Sequence, residues 1–102
     1  MTKLIAMYRK PADPAAFDRY YFGRHVPLAK TIPGLRSYEV TRGPIMGLDG
    51  PAPFHLIATL TFDSMDAIKA AVASAAGKAT TEDLVNFADA GAEMLIAESE
   101  SI

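Results

Sequence analysis

The chain contains no cysteine and no tryptophan among its 102 residues. Without cysteine there is no disulfide framework, no thiol nucleophile and no thiolate metal site. An excess of one charge is also missing. Ten Lys and Arg against twelve Asp and Glu leave a formal charge of −2, which gives no reason to expect nucleic acid or an anionic membrane surface as a partner. No apolar run approaches the roughly 20 residues needed to cross a bilayer. Met1-Thr2-Lys3-Leu4-Ile5 leads straight into a strand pattern, with no secretory apolar core and small-residue cleavage site. The expected location is therefore the cytoplasm. Glycine-rich nucleotide fingerprints and Gly-x-Ser-x-Gly elbows are absent as well.

What is present suits one domain spanning residues 1–102, half of whose residues are apolar. A chain of this size buries roughly 60–70% of its unfolded surface. Lys3 to Arg9 reads as a first strand, with Leu4, Ala6 and Tyr8 on one face and Ile5 and Met7 on the other. Asp13 followed by Pro14 marks a helix start, an acceptor for free N–H groups ahead of a proline preset for the first position. Phe17, Tyr21, Leu28 and Ile32 then share one helical stripe, and His25 lies on it. Pro27 cannot donate to the carbonyl of Gly23 and crowds it, so a kink or break is expected there.

Pro33-Gly34 is a turn, and Leu35 to Arg42 a second strand carrying Tyr38. Gly43 to Pro53 is a long connection with Ile45, Met46 and Leu48, expected either to cover a pocket or to meet another subunit. Phe54 to Phe62 alternates clearly, placing Phe54, Leu56, Ala58, Leu60 and Phe62 opposite His55, Ile57, Thr59 and Thr61. Ser64 caps a helix through Met65, Ile68 and Val72 that Gly77 closes; Thr80 or Thr81 opens a shorter one through Leu84, Val85 and Phe87. Ala92 to Glu98 is a last strand. The order predicts an α+β, ferredoxin-like split βαβ fold with helices on one face of a four-stranded antiparallel sheet. A chain this short has no second layer for the other face, so a homodimer is expected.

His25 is the first candidate for chemistry, because imidazole exchanges protons near neutrality. Tyr21 shares its stripe; Tyr8, Tyr38 and Arg24 are candidates to orient or bind a substrate oxygen, with Phe17 beside them. Each has a structural alternative, such as core packing for the tyrosines and surface pairing for Arg24. His25 and His55 match no common zinc or iron spacing, so no metal is expected. Asp13, Asp18, Asp63, Asp66, Glu82 and Asp83 are explained by exposed positions and helix starts.

The run Tyr20-Tyr21-x-x-x-His25-Val26-Pro27-Leu28-Ala29, with Ile32-Pro33-Gly34-Leu35 and Tyr38-Glu39-Val40 after it, resembles the EthD family. Phe62-x-Ser64 and Asn86-Phe87-Ala88-Asp89 fit it too, so the resemblance spans nearly the whole chain. It implies a dimeric α+β barrel with a pocket in each protomer between sheet and helices. That family takes its name from ethyl tert-butyl ether degradation beside a cytochrome P450 system. Related barrels include methylmuconolactone isomerases, cofactor-free quinone-forming monooxygenases and fungal proteins acting on polyketide-like aromatics. The implied ligand is a small, oxygenated, cyclic or aromatic molecule, handled without a cofactor. Two other readings stand beside an enzyme: a binding or accessory protein for a hydrophobic metabolite, and a haem-binding barrel with a histidine ligand.

Overall fold

The computed structural model describes residues 1–102. The elements are β1 (Thr2–Arg9), α1 (Pro14–Tyr20), a π-helical turn (Tyr21–His25), α2 (Val26–Ala29), β2 (Ser37–Val40), β3 (Met46–Gly47), β4 (Gly50–Pro51), β5 (Phe54–Phe62), α3 (Met65–Ala73), α4 (Ala75–Glu82), a 3₁₀ turn (Asp83–Asn86) and β6 (Ala92–Glu98). Four strands form one antiparallel sheet in the order β2-β5-β1-β6. The helices pack on one face of it, which is the ferredoxin-like α+β arrangement. No helix is long and apolar enough to cross a membrane.

Alternation on the two central strands decides what each face carries. Ala6, Tyr8, Leu56, Ala58, Leu60 and Phe62 are buried in the core with Phe17, Tyr21, Ile68, Ala71 and Phe87 from the helical side. Ile5, Met7 and Ile57 fall on the opposite face, where no element of the chain covers them and they stay partly exposed. Leu95, opposite Ile5, is half-exposed there too. The molecule measures 35 × 34 × 17 Å, one helical layer on one sheet. Its surface of 6323 Å² exceeds the roughly 5,600 Å² typical of a monomer of this mass.

The helix after β1 begins as its sequence dictates. The Asp13 carboxylate accepts from the Ala16 N–H at 3.1 Å, and Pro14 fills the first position. Near Pro27 the helix does not break but widens. The Val26 N–H donates to the Tyr21 carbonyl, five residues back, and the helical path continues. The widening inserts one residue into the winding and rotates the stripe. Ala29 becomes buried in place of Leu28, while Ile32 still packs against the core.

Three other expectations change. The β1–β5 register shifts at Tyr8 and Arg9, which pair with Leu56 and Phe54 and leave His55 between them. That bulge turns His55 to the helical side, where it is 2.8 Å from Asp18 and edge-on to Phe17. Phe54 meets the Arg9 guanidinium instead. Gly77 does not close a helix: α3 stops at Ala73, and the Ser74 side chain caps α4 by accepting from the Gly77 N–H. The second helix therefore starts at Ala75, ahead of Thr80. Gly77 is buried inside it because α4 crosses α3 too closely for a side chain; a Cβ there would lie 2.0 Å from the Ala71 carbonyl oxygen. Finally, β2 is shorter than expected, and residues 43–53 form a small β3–β4 hairpin.

Candidate active site

Between the sheet and the helices lies a cavity of about 270 Å³ lined by side chains from all four strands of the main sheet and from the helical layer. Leu4, Ala6, Ala58, Leu60, Ile68, Ala71, Leu84 and other apolar groups form most of its wall. The polar groups are few: His25, Tyr8, Tyr21, Tyr38, Thr80 and Thr81. No Lys, Arg, Asp or Glu lines it. Tyr21, Tyr8 and His25 are buried, while Val72, Met94 and Ile96 are nearly half-exposed. The polar cluster thus marks the closed end, and an apolar rim marks the mouth.

His25 ends the π turn, four residues after Tyr21, and lines this space with it. Its ring centroid is 5.3 Å from that of Tyr21 and 4.6 Å from that of Phe87. Nδ1 lies 2.9 Å from an Asp83 carboxylate oxygen, in a pair whose side chains are only 5% and 11% exposed. Nε2 has no partner within the protein, yet no buried polar atom is left unpaired. Nε2 therefore keeps some exposed surface, on a residue that lines the cavity. The other Asp83 oxygen accepts from the Tyr20 hydroxyl at 2.6 Å and from the Asn86 amide at 3.0 Å. Tyr20 itself stacks on Phe87.

The tyrosines form the second half of the site. The hydroxyls of Tyr21 and Tyr38 are 2.6 Å apart, so one donates to the other and a single proton remains for a ligand. The Tyr8 hydroxyl has no partner in the chain, and Tyr8 lines the same cavity. Burial raises the pKa of Tyr8, with the neighbouring Tyr38 and Asp83 adding to it. Burial raises Tyr21 strongly and Tyr38 as well. Phenols held protonated in this way can donate hydrogen bonds to a developing oxyanion.

Burial lowers the pKa of His25, opposed by its bond to Asp83. For Asp83, burial pushes upward, but the bonds from Tyr20, Asn86 and His25 together hold it below the ordinary carboxylate value. The consequence for stability has a definite sign. The folded protein resists protonating His25, so the unfolded chain takes up that proton first as pH falls below about 6.5. At the alkaline end the unfolded chain loses its tyrosine protons near pH 10, while Tyr8 and Tyr21 keep theirs. The thermal midpoint is expected to fall on both sides of a plateau between about pH 6.5 and 10. His25→Gln should flatten the acid flank in calorimetry; an unchanged flank would show that His25 does not set it.

Among the residues expected from sequence, His25, Tyr21, Tyr8 and Tyr38 line one cavity. Phe17 stands behind Tyr21, stacked on it with centroids 5.8 Å apart, and does not line the space. Arg24 is exposed and outside it. Tyr20, outside the cavity, is tied inward through Asp83. Asp83 fits a first-turn acid by its place in the chain, and that explanation conceals its contact with the histidine. Its place three residues after Thr80 and four before Phe87 is the available signal that it faces inward.

Fold and site together define a small α+β protein of ferredoxin-like topology, with a mostly apolar cavity between sheet and helices that closes on a histidine and three phenols. The chain belongs to the EthD family: the EthD domain model matches residues 9–91. It is 37% identical over 103 residues to an uncharacterized 11.0 kDa protein in the thcB-thcC intergenic region of Rhodococcus erythropolis, covering 100% of this chain and 98% of that one. The crystal structure of an EthD family protein from Bacillus halodurans is similar at 37% identity and a TM-score of 0.91, covering 98% of this chain and 99% of the other. SnoaB of Streptomyces nogalater, described as a cofactor-independent oxygenase, shares the fold at 16% identity and a TM-score of 0.69, over 99% and 94% of the two chains.

Proposed function

We propose that this protein is an enzyme that moves a proton on a small, neutral, oxygenated ring compound without a cofactor, with His25 as the acid–base group. The observation that carries the reading is a buried histidine, its Nε2 free of any protein partner, lining one cavity with three phenols. A base placed next to a phenol, lactone or ketone can remove an acidic proton. The hydroxyls of Tyr8 and of the Tyr21–Tyr38 pair can stabilise the resulting oxyanion. That step serves isomerisation, or addition of molecular oxygen to the carbanion to give a hydroperoxide that loses water to leave a quinone; decarboxylation would need a carboxylate substrate, for which the lining holds no cation. The SnoaB likeness, a likeness of fold, fits the addition of oxygen.

Size and charge narrow the ligand. About 270 Å³ lies near the lower end of the roughly 300–1,000 Å³ usual for small-molecule pockets, which suits a small ring compound. A carboxylate or phosphate would find no cation in the lining. A thermal-shift screen of neutral phenols, quinones and lactones, alongside short carboxylates, tests the proposal. The expected result is stabilisation by neutral single-ring compounds, and recovery of at least one as a changed product by mass spectrometry. Ligands that stabilise but always return unaltered would favour the binding-protein reading instead.

We further propose that a second copy covers the open sheet face carrying Ile5, Met7, Ile57 and Leu95. The 17 Å thickness and excess surface support this. Light scattering at micromolar concentration should give about twice the chain mass. A stable monomer there would remove the dimer.

A further inference from the structure

We propose that Asp83 is a positioning residue that holds the His25 proton on Nδ1 and so leaves Nε2 as the bare nitrogen, the one free to act as base. This rests on the acid–base reading of His25 and deepens it. An ionised carboxylate only accepts hydrogen bonds, so the proton in the 2.9 Å contact belongs to Nδ1. Asp83 cannot turn away easily. Its second oxygen is held by Tyr20 from the end of α1 and by Asn86 three residues onward in the 3₁₀ turn. The ring of Phe87 packs against both His25 and Tyr20 and limits movement of either. The remaining titratable groups around His25 are Tyr21 on its own turn and Tyr8 and Tyr38 on the sheet, with no Lys or Arg lining the cavity.

The same network predicts what an isosteric change does. In Asp83→Asn the side chain offers one oxygen and one NH₂ group. Tyr20 and Asn86 both donate, so they claim the oxygen and turn the NH₂ towards Nδ1. A donor facing Nδ1 forces the ring proton onto Nε2, which is then no longer a base. Removing both competing donors with Tyr20→Phe and Asn86→Ala frees the amide introduced at position 83 to rotate. Its oxygen can then face Nδ1 and restore the original tautomer.

Nitrogen NMR of isotope-labelled histidine reads the tautomer directly in the ligand-free protein, with His25→Gln identifying the His25 signals. The expected result near pH 7.5 is Nδ1–H in the wild type, Nε2–H in Asp83→Asn, and Nδ1–H again when both donors are also removed. Where a converted substrate is known, Asp83→Asn should lower kcat by about 10²-fold or more, the scale of general-base catalysis. KM should change little, and raising the pH should not restore the rate. A wild-type Nε2–H tautomer, or an unchanged tautomer in folded Asp83→Asn, overturns the proposal. The wild-type spectrum decides it even if that variant does not fold. Failure of the acid–base reading is separable: the tautomers would follow this pattern while no compound is turned over.

Discussion

His25→Ala is expected to lower turnover of any compound the protein converts by about 10²–10⁴-fold, the contribution of a positioned acid–base group. The loss should fall on kcat, because the mostly apolar wall that holds the ring remains in place. Folding should survive. Asp83 keeps its Tyr20 and Asn86 donors, and the deleted ring leaves space continuous with an existing cavity, so no sealed void forms. His25→Gln is the companion variant. It can still donate to Asp83 but cannot act as a base near neutrality. Single-turnover rates with both variants, set beside their thermal midpoints, separate chemistry from stability. Activity retained in His25→Gln would remove the imidazole from the mechanism.

The largest expected effect on stability comes from Gly77→Ala. Alanine is ordinarily the better helix former by about 1 kcal/mol. Here its methyl group would meet the Ala71 carbonyl oxygen at 2.0 Å and the Val72 Cα at 2.9 Å, both of them backbone atoms. Neither can swing aside as a side chain would, so α4 must move off α3. Overpacking of this kind typically costs about 1–3 kcal/mol and sometimes more. For a domain of this size, about 3 kcal/mol corresponds to a fall of roughly 12–24 °C in the midpoint. Differential scanning calorimetry measures it. A midpoint equal to or above that of the wild type would mean that α4 can shift without loss. Because Thr80, Thr81 and Leu84 of the following stretch line the cavity, ligand binding should weaken together with stability.

Physical reasons separate what is legible in the sequence from what is not. Alternation places Tyr8 and Tyr38 on the helical face of the sheet, and helical spacing places Tyr21 and His25 opposite them. Both signals are periodic, and periodicity survives folding. Single-residue irregularities do not announce themselves in this way. The π turn moves Ala29 into the position expected for Leu28, and the bulge at His55 reverses which side of the sheet it faces. Small residues mislead for a different reason. Gly77 reads as a helix stop by its backbone freedom, but it is required for the close crossing of two helices. Asp83 is hidden by plausibility: an acid near a helix start has a sufficient local explanation. Its contact with His25 spans 58 residues of chain. Arg24 shows the reverse, standing beside the histidine in sequence and outside the cavity in space.

The chain's four tyrosines are Tyr8, Tyr20, Tyr21 and Tyr38, and it has no tryptophan. Three line the cavity and the fourth holds Asp83. Tyrosine emission, usually masked by tryptophan, therefore arises in this chain only from the site. Its near-ultraviolet absorption and dichroism come chiefly from the same phenols, several of them hydrogen-bonded and packed edge to face. The molecule carries its own optical probe, and a ligand that reaches the closed end of the cavity should be visible without any label.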